Sequence, residues 1–153
     1  MVVVMIPQYS RPSTQDYFLD IVEKVATRGS CARRKVGCVL VNKLDHILST
    51  GYNGPPSELP NCSEHNCSGA HFASGEGLDV CEAVHAEQNA LLQCSNVQEI
   101  VTAYCTTAPC IHCLKLLLNT SCEHIVFIDD YPGSERCKQL WEKHRTWTQV
   151  PRK

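Results

Sequence analysis

Apolar residues recur at helical spacing near the start of the chain and then gather in short runs. Residues 11–29, RPSTQDYFLDIVEKVATRG, predict the first helix. Ser13 can cap this helix and Gly29 is placed to end it. Two strands are predicted next, KVGCVLVN at residues 35–42 and HILSTGYNG at residues 46–54, joined by a short polar turn.

Strands and helices alternate in the second half of the chain. EIVTAYCT at residues 99–106 is a predicted buried strand, and PCIHCLKLLLNTS at residues 109–121 is a predicted helix with proline in its first turn. A strand at residues 124–130, a helix at residues 132–144 and a short final strand at residues 146–151 follow. This alternation indicates an α/β sheet with parallel neighbouring strands.

The segment between these two halves has no clear periodicity. Residues 54–80 form a loop of a length that compact domains usually keep only when it has a function or is held in place. Cysteines lie in and beside it, so a metal site is a natural candidate to hold it. A helix then begins within VHAEQNALLQ, residues 84–93.

MVVVMI at residues 1–6 is too short for a signal peptide and predicts a short edge strand or a packed N-terminal arm.

Composition and charge narrow the classes of function. A chain of 153 residues with 43% hydrophobic and 20% charged residues predicts one soluble domain, residues 1–153. The formal net charge of -2 argues against a polynucleotide partner, although Arg33, Arg34 and Lys35 form a local basic patch. No apolar run is long enough to span a membrane, so we expect no membrane partner.

The cysteine content changes this ordinary picture. Eleven cysteines in a small secreted protein would predict disulfides. Here no secretion signal is evident, the number is odd, and several cysteines stand near His and Glu at spacings typical of metal ligands. We therefore expect a cytoplasmic location, where thiols stay reduced, and thiolate metal sites.

One motif predicts a specific chemistry. H-x-E at His85 and Glu87 is followed by P-C-x-x-C with Cys110 and Cys113, which is the signature of zinc-dependent nucleobase deaminases. Zinc with three protein ligands keeps a fourth position for water, and a helix N-terminus favours thiolates. Alone, H-x-E is usually an exposed pair and C-x-x-C is usually a structural or redox motif. Their conjunction in this order is far more specific.

The spacing of His85 and Glu87 raises a geometric question, because residues two apart do not face each other on an ideal helix. A metal beyond the end of the helix, rather than along its side, would let both side chains converge on it. We expect Glu87 to move protons and not to bind the metal. It would take a proton from the attacking water, pass it to the ring nitrogen and later protonate the leaving amino group.

Four segments within residues 30–118 resemble the cytidine deaminase-like superfamily, and most closely the deoxycytidylate (dCMP) deaminases of phages and bacteria. They are SCARRKVGCVLVN, STGYNGPP, CEAVHAEQNALLQ and TTAPCIHCLKLL. The resemblance implies a three-layer α/β fold with a central five-stranded mixed sheet flanked by helices. It implies zinc-dependent hydrolysis of dCMP to dUMP and ammonia, which supplies dUMP for thymidylate synthesis. It also suggests a homohexamer regulated by dCTP and dTTP with Mg²⁺.

The same resemblance implies substrate contacts. Asn53 of GYNG would hydrogen-bond the sugar, and the Ala108 carbonyl would accept from the cytosine amino group, at a position where the family usually has serine. Tyr131 would lie near the phosphate or sugar, or is simply a tyrosine in a turn. Arg33 and Arg34 would meet a phosphate through their bidentate guanidinium groups, or form a solvated basic turn.

A second, structural zinc is also implied. Related phage enzymes hold one with cysteines that match Cys31 and Cys62, and relatives with HAEQNA tend to have cysteines like Cys67 and Cys81. Four thiolates would close a tetrahedral site and tie down the long loop; the alternative is free thiols. Three other side chains compete as ligands: His65, His71 and Glu82. The other cysteines are predicted to be small core or surface residues: Cys38, Cys94, Cys105, Cys122 and Cys137.

Two other kinds of function stay open at this point. The same chemistry serves deaminases of cytidine or deoxycytidine, of tRNA adenosine and of a riboflavin precursor. The acidic balance disfavours tRNA, and GYNG favours a nucleotide. The alternative from another class is a non-catalytic, zinc-stabilised binding module. Such a module would have no use for an acid such as Glu87 beside its metal.

Overall fold

The computed structural model of the protein describes residues 4–5, 9–64 and 67–153. A 3₁₀ turn, Val97–Glu99, precedes the third strand. The helices and strands are, in chain order, α1 Thr14–Ala26, β1 Gly37–Val41, β2 Ile47–Tyr52, α2 Ala86–Gln93, β3 Thr102–Thr107, α3 Ile111–Leu118, β4 His124–Asp129, α4 Ser134–Trp141 and β5 Thr146–Gln149. Among these residues, no helix combines the length and the apolar character that a membrane span requires.

The strands form one five-stranded sheet in the order β2-β1-β3-β4-β5. β1 pairs antiparallel with both β2 and β3, whereas β3, β4 and β5 run parallel to one another. The predicted mixed sheet is therefore confirmed. The helices α3 and α4 are the crossovers that parallel neighbours require.

The sheet is the middle of three layers, as predicted. Successive residues of β1 point to opposite faces, because side chains alternate along a strand. Val39 and Val41 pack with Phe18 of α1 on one face. Cys38 and Leu40 pack on the other face, in the core that also includes residues of α2, α3 and α4.

The strand ends that border the functional site lie side by side along one edge of the sheet. The register pairs Gly37, the first residue of β1, with Tyr52, the last of β2. It also pairs Thr107, the last residue of β3, with Asp129, the last of β4. The segments that leave β2, β3 and β4 and the segment that enters β1 therefore meet at this edge, where open α/β sheets usually bind ligands.

Several boundaries differ from the predictions; α3 and α4, for example, each end three residues earlier than predicted. The Ser13 hydroxyl accepts from the backbone N–H of Asp16 as predicted, but α1 ends at Ala26 and not at Gly29. Residue 99, predicted to begin a strand, belongs to the 3₁₀ turn that precedes β3. Residues 1–3 and 6 of the predicted N-terminal strand lie outside the described residues. Val4 and Met5 are exposed and do not join the sheet.

Candidate active site

Two helix N-termini bring the predicted catalytic residues together. His85 is the N-cap of α2, and its backbone N–H donates to the side chain of Gln88 at 2.9 Å. Cys110 is the N-cap of α3, and Cys113 lies in its first turn. The His85 Nδ1 atom lies 3.4 Å from each of the two sulfur atoms. The ends of α2 and α3 therefore point at one place.

These three side chains form a set suited to zinc. Within the described residues, His85, Cys110 and Cys113 are the one group of three His, Cys or acidic residues whose ligand atoms lie within 4.8 Å of one another. One imidazole nitrogen and two sulfurs are donors that zinc prefers, and three protein ligands leave a fourth coordination position. The donor set thus fits a catalytic zinc and not a closed structural one.

The electrostatics of the three ligands favour a thiolate–imidazole cluster. A hydrogen bond from Cys113, aided by His85, lowers the pKa of Cys110 to about 4. The same contact and burial raise the pKa of Cys113 above its usual range. The hydrogen bond to Cys110 raises the pKa of His85. Bound metal requires both sulfurs deprotonated, so metal binding would release the proton that Cys113 holds.

Glu87 lies beside this cluster without being part of it. The residue is only 4% exposed, and burial raises the pKa of its carboxyl group. Hydrogen bonding from the Cys113 thiol opposes this effect and lowers the pKa of Glu87, but burial dominates. A raised pKa favours the protonated form of a carboxyl group, which must both accept and donate a proton in general acid–base catalysis.

The GYNG segment, residues 51–54, fixes the position of α2, the helix that begins after His85. A Cβ added at Gly51 would collide with the backbone oxygen of Ala86 and the backbone nitrogen of Ala90, so only glycine lets α2 lie this close to β2. Gly54 and Val84 exchange two backbone hydrogen bonds, of 3.2 and 2.8 Å, just before His85. The motif therefore fixes both the entry and the position of α2.

Asn53 has a structural task that the sequence did not reveal. Its side-chain oxygen accepts from the backbone N–H of Val36 at 2.8 Å, and its side-chain nitrogen donates to the Arg34 carbonyl at 2.7 Å. Gly29 leaves room for it, since a Cβ there would lie 2.6 Å from the Asn53 oxygen. An amide has a second hydrogen and a second acceptor site, so a contact of Asn53 with the sugar stays a prediction.

A cleft of about 570 Å³, open solvent at its mouth included, lies over these residues. His85, Glu87 and Cys110 line it on the side of the helix ends. The four predicted substrate-binding residues line it as well: Arg34, Asn53, Ala108 and Tyr131. Residues far apart in sequence, which were predicted separately, thus face one cavity.

Ala108 and Tyr131 follow the carboxyl ends of neighbouring strands. The Ala108 N–H donates to the Asp129 carbonyl at 2.9 Å, which holds the turn between β3 and α3 in place. Tyr131 follows β4, and burial raises the pKa of its hydroxyl group. Arg34 lies with its guanidinium carbon 5.9 Å from the centre of the Tyr131 ring and donates to the Asp130 carbonyl at 3.3 Å.

Arg33 and Arg34 have different surroundings in the structure, although the sequence predicted the same phosphate contact for both. Arg33 donates to three backbone carbonyls of the long loop, those of Phe72, Ala73 and Glu76. No sequence signal could have found this contact, because every residue carries the carbonyl group that accepts. Burial raises the pKa of Tyr131, both arginines oppose this shift, and Arg34 is the one whose guanidinium carbon lies over the Tyr131 ring.

The cysteines predicted to hold a second zinc lie near one another. Burial, followed by the hydrogen bond with Cys67, raises the pKa of Cys62 to about 11, and the nearby thiols of Cys31 and Cys81 add to this shift. In the described part of the chain, no three of them reach the mutual 4.8 Å spacing of the His85 cluster. The competing ligand His65 lies outside the described residues.

All eleven cysteines are free thiols. Of the five without a predicted metal role, Cys94 is partly buried and the other four are core residues: Cys38, Cys105, Cys122 and Cys137. The prediction that they are small core or surface residues agrees with this placement. The sulfur atoms of Cys38 and Cys105 lie 3.8 Å apart across β1 and β3.

Comparison with known proteins gives the family. A sequence profile described as "Cytidine and deoxycytidylate deaminase zinc-binding region" matches residues 12–129. The chain belongs to this family. The matched range contains the H-x-E and P-C-x-x-C motifs, so the cluster of His85, Cys110 and Cys113 lies within the family's zinc-binding region.

Relatives in this deaminase family differ in length. Deoxycytidylate deaminase of Mycobacterium phage D29 is 40% identical over 124 residues, which cover 77% of this chain and 96% of the phage protein. Deoxycytidylate deaminase of Saccharomyces cerevisiae is 36% identical over 127 residues, which cover 82% of this chain and 40% of the yeast protein. The chain thus spans nearly the whole phage relative but about two fifths of the yeast one.

Two solved structures share the fold. The dCMP deaminase of cyanophage S-TIM5, in a complex with dCMP and dUMP, superposes with a TM-score of 0.71 at 22% identity, covering 93% of this chain and 100% of that chain. RibD of Acinetobacter baumannii gives a TM-score of 0.61 at 22% identity, covering 90% of this chain and 35% of that chain. These likenesses confirm the three-layer fold predicted from the sequence.

Proposed function

We propose that this protein catalyses the hydrolytic deamination of dCMP to dUMP and ammonia. The observation that carries the proposal is the buried Glu87 carboxyl group beside the cluster of His85, Cys110 and Cys113, at one end of an open cleft. Membership of the deaminase family supports it, as does the similarity to a phage deoxycytidylate deaminase along nearly its whole length.

The residues of the chain divide the chemistry between them. Zinc held by His85, Cys110 and Cys113 would supply Lewis-acid activation of the attacking water. Glu87 takes a proton from this water as the oxygen adds to C4 of cytosine and delivers it to the adjacent ring nitrogen. Glu87 then takes the remaining proton of the added oxygen and transfers it to the amino group, so that the C4–N bond breaks, the C4 carbonyl forms and ammonia leaves. All atoms of water and dCMP are thereby found in dUMP and ammonia.

Substrate recognition is assigned to four other residues that line the cleft. The Ala108 carbonyl accepts from the cytosine amino group, and Asn53 reaches the sugar with the hydrogen-bonding capacity that its backbone contacts leave. Arg34 pairs with the 5′-phosphate, and Tyr131 packs beside the sugar or phosphate. Arg34 and Glu87 line the same cleft, which supports a substrate that carries a phosphate as well as a base.

Ammonia release from dCMP, compared with deoxycytidine and cytidine, tests this function. We expect dCMP to be strongly preferred, because a charged phosphate contact contributes more than a neutral one. Equal specificity constants for dCMP and deoxycytidine would replace the nucleotide by the nucleoside as substrate. No release from any of the three would favour another deaminase substrate or a non-catalytic module.

A second zinc, held by Cys31, Cys62, Cys67 and Cys81, is part of the proposal. The proximity of the Cys31, Cys67 and Cys81 thiols to Cys62, which adds to the raised pKa of Cys62, supports it. Cys62 and Cys67 are buried although they lie in a loop without regular structure, which suits a local cross-link. Four thiolates would leave no open position, so this zinc would be structural.

The domain organisation, the assembly, the regulation and the metabolic role are proposed from the resemblance to the family. We propose that residues 1–153 act as one catalytic domain, assemble as a homohexamer and respond to dCTP and dTTP with Mg²⁺. The product dUMP would supply thymidylate synthesis. A cytoplasmic location is proposed on the basis of the eleven free thiols, because reducing compartments keep thiols unpaired.

A further inference from the structure

Residues 72–78 form a short segment of the long loop, which we call the roof loop. Three of its residues, Ser74, Gly75 and Leu78, line the same cleft as His85 and Glu87. The roof loop therefore closes one side of the proposed substrate site, although it belongs to none of the helices and strands.

The roof loop is built from tight turns. The Glu76 N–H donates to the Ala73 carbonyl at 3.0 Å, and Gly75 within this turn has a φ of 86°. Gly77 has a φ of 62°, and a Cβ there would lie 2.5 Å from the Phe72 ring. The backbone hydrogen bonds that the structure describes for residues 69–81 join residues of the loop to one another. These local bonds shape the roof loop but do not fix it to the sheet.

Among the hydrogen bonds that the structure describes, those of one side chain, Arg33, join the roof loop to the segment that precedes β1. The Arg33 Nη1 atom lies 2.9 Å from the Ala73 oxygen, 3.0 Å from the Glu76 oxygen and 3.3 Å from the Phe72 oxygen. Three carbonyl groups thus converge on one terminal nitrogen of a group that is charged at every physiological pH. Hydrogen bonds to charged donors are stronger than neutral ones.

We propose that Arg33 is a positioning residue that holds the roof loop over the cleft and thereby sets the affinity for the substrate. The proposal deepens the proposed function and rests on it for its kinetic measurements. Arg33 also lines the cleft, but the hydrogen bonds described for its Nη1 group all go to carbonyls of the roof loop, so we assign its action to the roof loop and not to the substrate. This distinguishes it from Arg34, to which the phosphate is assigned.

The expected effect on KM and kcat follows from the place where Arg33 acts, which is the roof loop. A roof loop that is no longer anchored leaves the zinc ligands and Glu87 in place, because these residues are positioned by α2 and α3. Loss of contacts made equally to the bound substrate and to the transition state raises KM and leaves kcat nearly unchanged. The loss affects nucleotide and nucleoside alike, since the phosphate plays no part in it.

The test compares three variants of the full chain. Arg33→Met removes the donors and keeps much of the side-chain length, and Arg33→Lys keeps the charge but loses the planar fork. Lys35→Met is the matched control, because it removes a neighbouring exposed cation. Hydrogen exchange of the peptide that covers residues 72–78 is measured together with KM and kcat for dCMP and the inhibition constant of deoxycytidine.

We expect exchange in residues 72–78 to be at least about tenfold faster in Arg33→Met than in Lys35→Met, with Arg33→Lys between them. We expect the KM for dCMP and the inhibition constant of deoxycytidine to rise by the same factor, about tenfold, while kcat changes by less than about threefold. Zinc content should equal that of the wild type. If Arg33→Met does not fold, Arg33→Lys provides the same comparisons.

Three results would overturn the proposal. The first is exchange in residues 72–78 that matches the control. The second is faster exchange with an unchanged KM, since the roof loop would then have no influence on affinity. The third is a rise for dCMP alone, which would make Arg33 a direct phosphate ligand. A wild-type protein that does not deaminate dCMP would refute the proposed function. The hydrogen-exchange measurement would still test whether Arg33 holds the roof loop in place.

Discussion

The side-chain oxygen of Asn53 accepts a hydrogen bond from the backbone N–H of Val36 at 2.8 Å. Together with the bond from Asn53 to the Arg34 carbonyl, this contact joins the end of β2 to the segment that enters β1. Two walls of the cleft are thereby held at a fixed distance. Asn53, which is predicted to contact the substrate, thus also joins two segments of the protein. We call its two hydrogen bonds, with Val36 and Arg34, the clamp.

The clamp predicts the effect of Asn53→Asp. This change keeps an acceptor for the Val36 N–H but removes the donor to the Arg34 carbonyl and sets a carboxylate against that carbonyl. We expect the free energy of unfolding to fall by about 1–3 kcal/mol, because a partly buried acceptor loses its donor. Denaturant unfolding measures this. Unchanged stability with reduced affinity for dCMP would mean that Asn53 serves the substrate alone.

Glu87→Gln tests the proton transfers. The change keeps the shape of the side chain and leaves the three zinc ligands in place. We expect dCMP deamination to fall by at least about 10²–10⁴-fold, because one group supplies both the general base and the general acid. Metal analysis should give the wild-type zinc content. A variant that deaminates dCMP at close to the wild-type rate would rule out Glu87 as the proton carrier.

Gly51→Ala tests the close approach of α2 to β2. The new methyl group would collide with backbone atoms of Ala86 and Ala90, which are unable to move aside as a flexible side chain would. We expect the free energy of unfolding to fall by at least about 1–3 kcal/mol, as in overpacked cores. Because His85 caps α2, zinc affinity should fall as well.

Gly133→Ala is the matched control for Gly51→Ala. A Cβ at Gly133 meets no atom within 4 Å, but its φ of 84° disfavours any other residue. We expect a backbone cost of about 1–2 kcal/mol and no change in zinc affinity. Equal zinc affinity in the two variants would show that the contact at Gly51 does not position His85.

Arg34→Ala tests phosphate recognition. We expect the specificity constant for dCMP to fall much more than the one for deoxycytidine, by about tenfold or more, because an arginine–phosphate pair is charge-assisted. Lys35→Ala removes a neighbouring exposed cation and should change both constants little. Equal losses for dCMP and deoxycytidine in Arg34→Ala would assign the phosphate to another residue.

Metal analysis of protein never exposed to a chelator tests the second zinc. We expect two zinc ions per chain in the wild type and about one in Cys67→Ser, together with lower stability, because binding of a structural metal is coupled to folding. Cys94→Ser is the control, since Cys94 is a partly buried free thiol at the end of α2 and should leave two ions. One ion per chain in the wild type would end the hypothesis.

Local patterns in the sequence predicted most of the fold. The spacing of Phe18 and Val22 reflects one face of a helix, and the structure buries both residues against the sheet. The zinc signature likewise predicted the cluster of His85, Cys110 and Cys113, because the chemistry of zinc restricts its ligands to few residue types. The misplaced start of β3 has a local cause, since Glu99 lies in a 3₁₀ turn capped by Asn96.

The sequence by itself determined the elements, their order and the metal-binding motif, since each depends on neighbours along the chain or on side-chain chemistry. Only the tertiary structure decided what Gly51, Asn53 and Arg33 do. Gly51 is needed because a helix packs on it, and Asn53 and Arg33 bind backbone groups of segments distant in the chain. Every residue offers such backbone groups, so no pattern of residue types marks the partner. The packing of the folded chain alone brings donor and acceptor together.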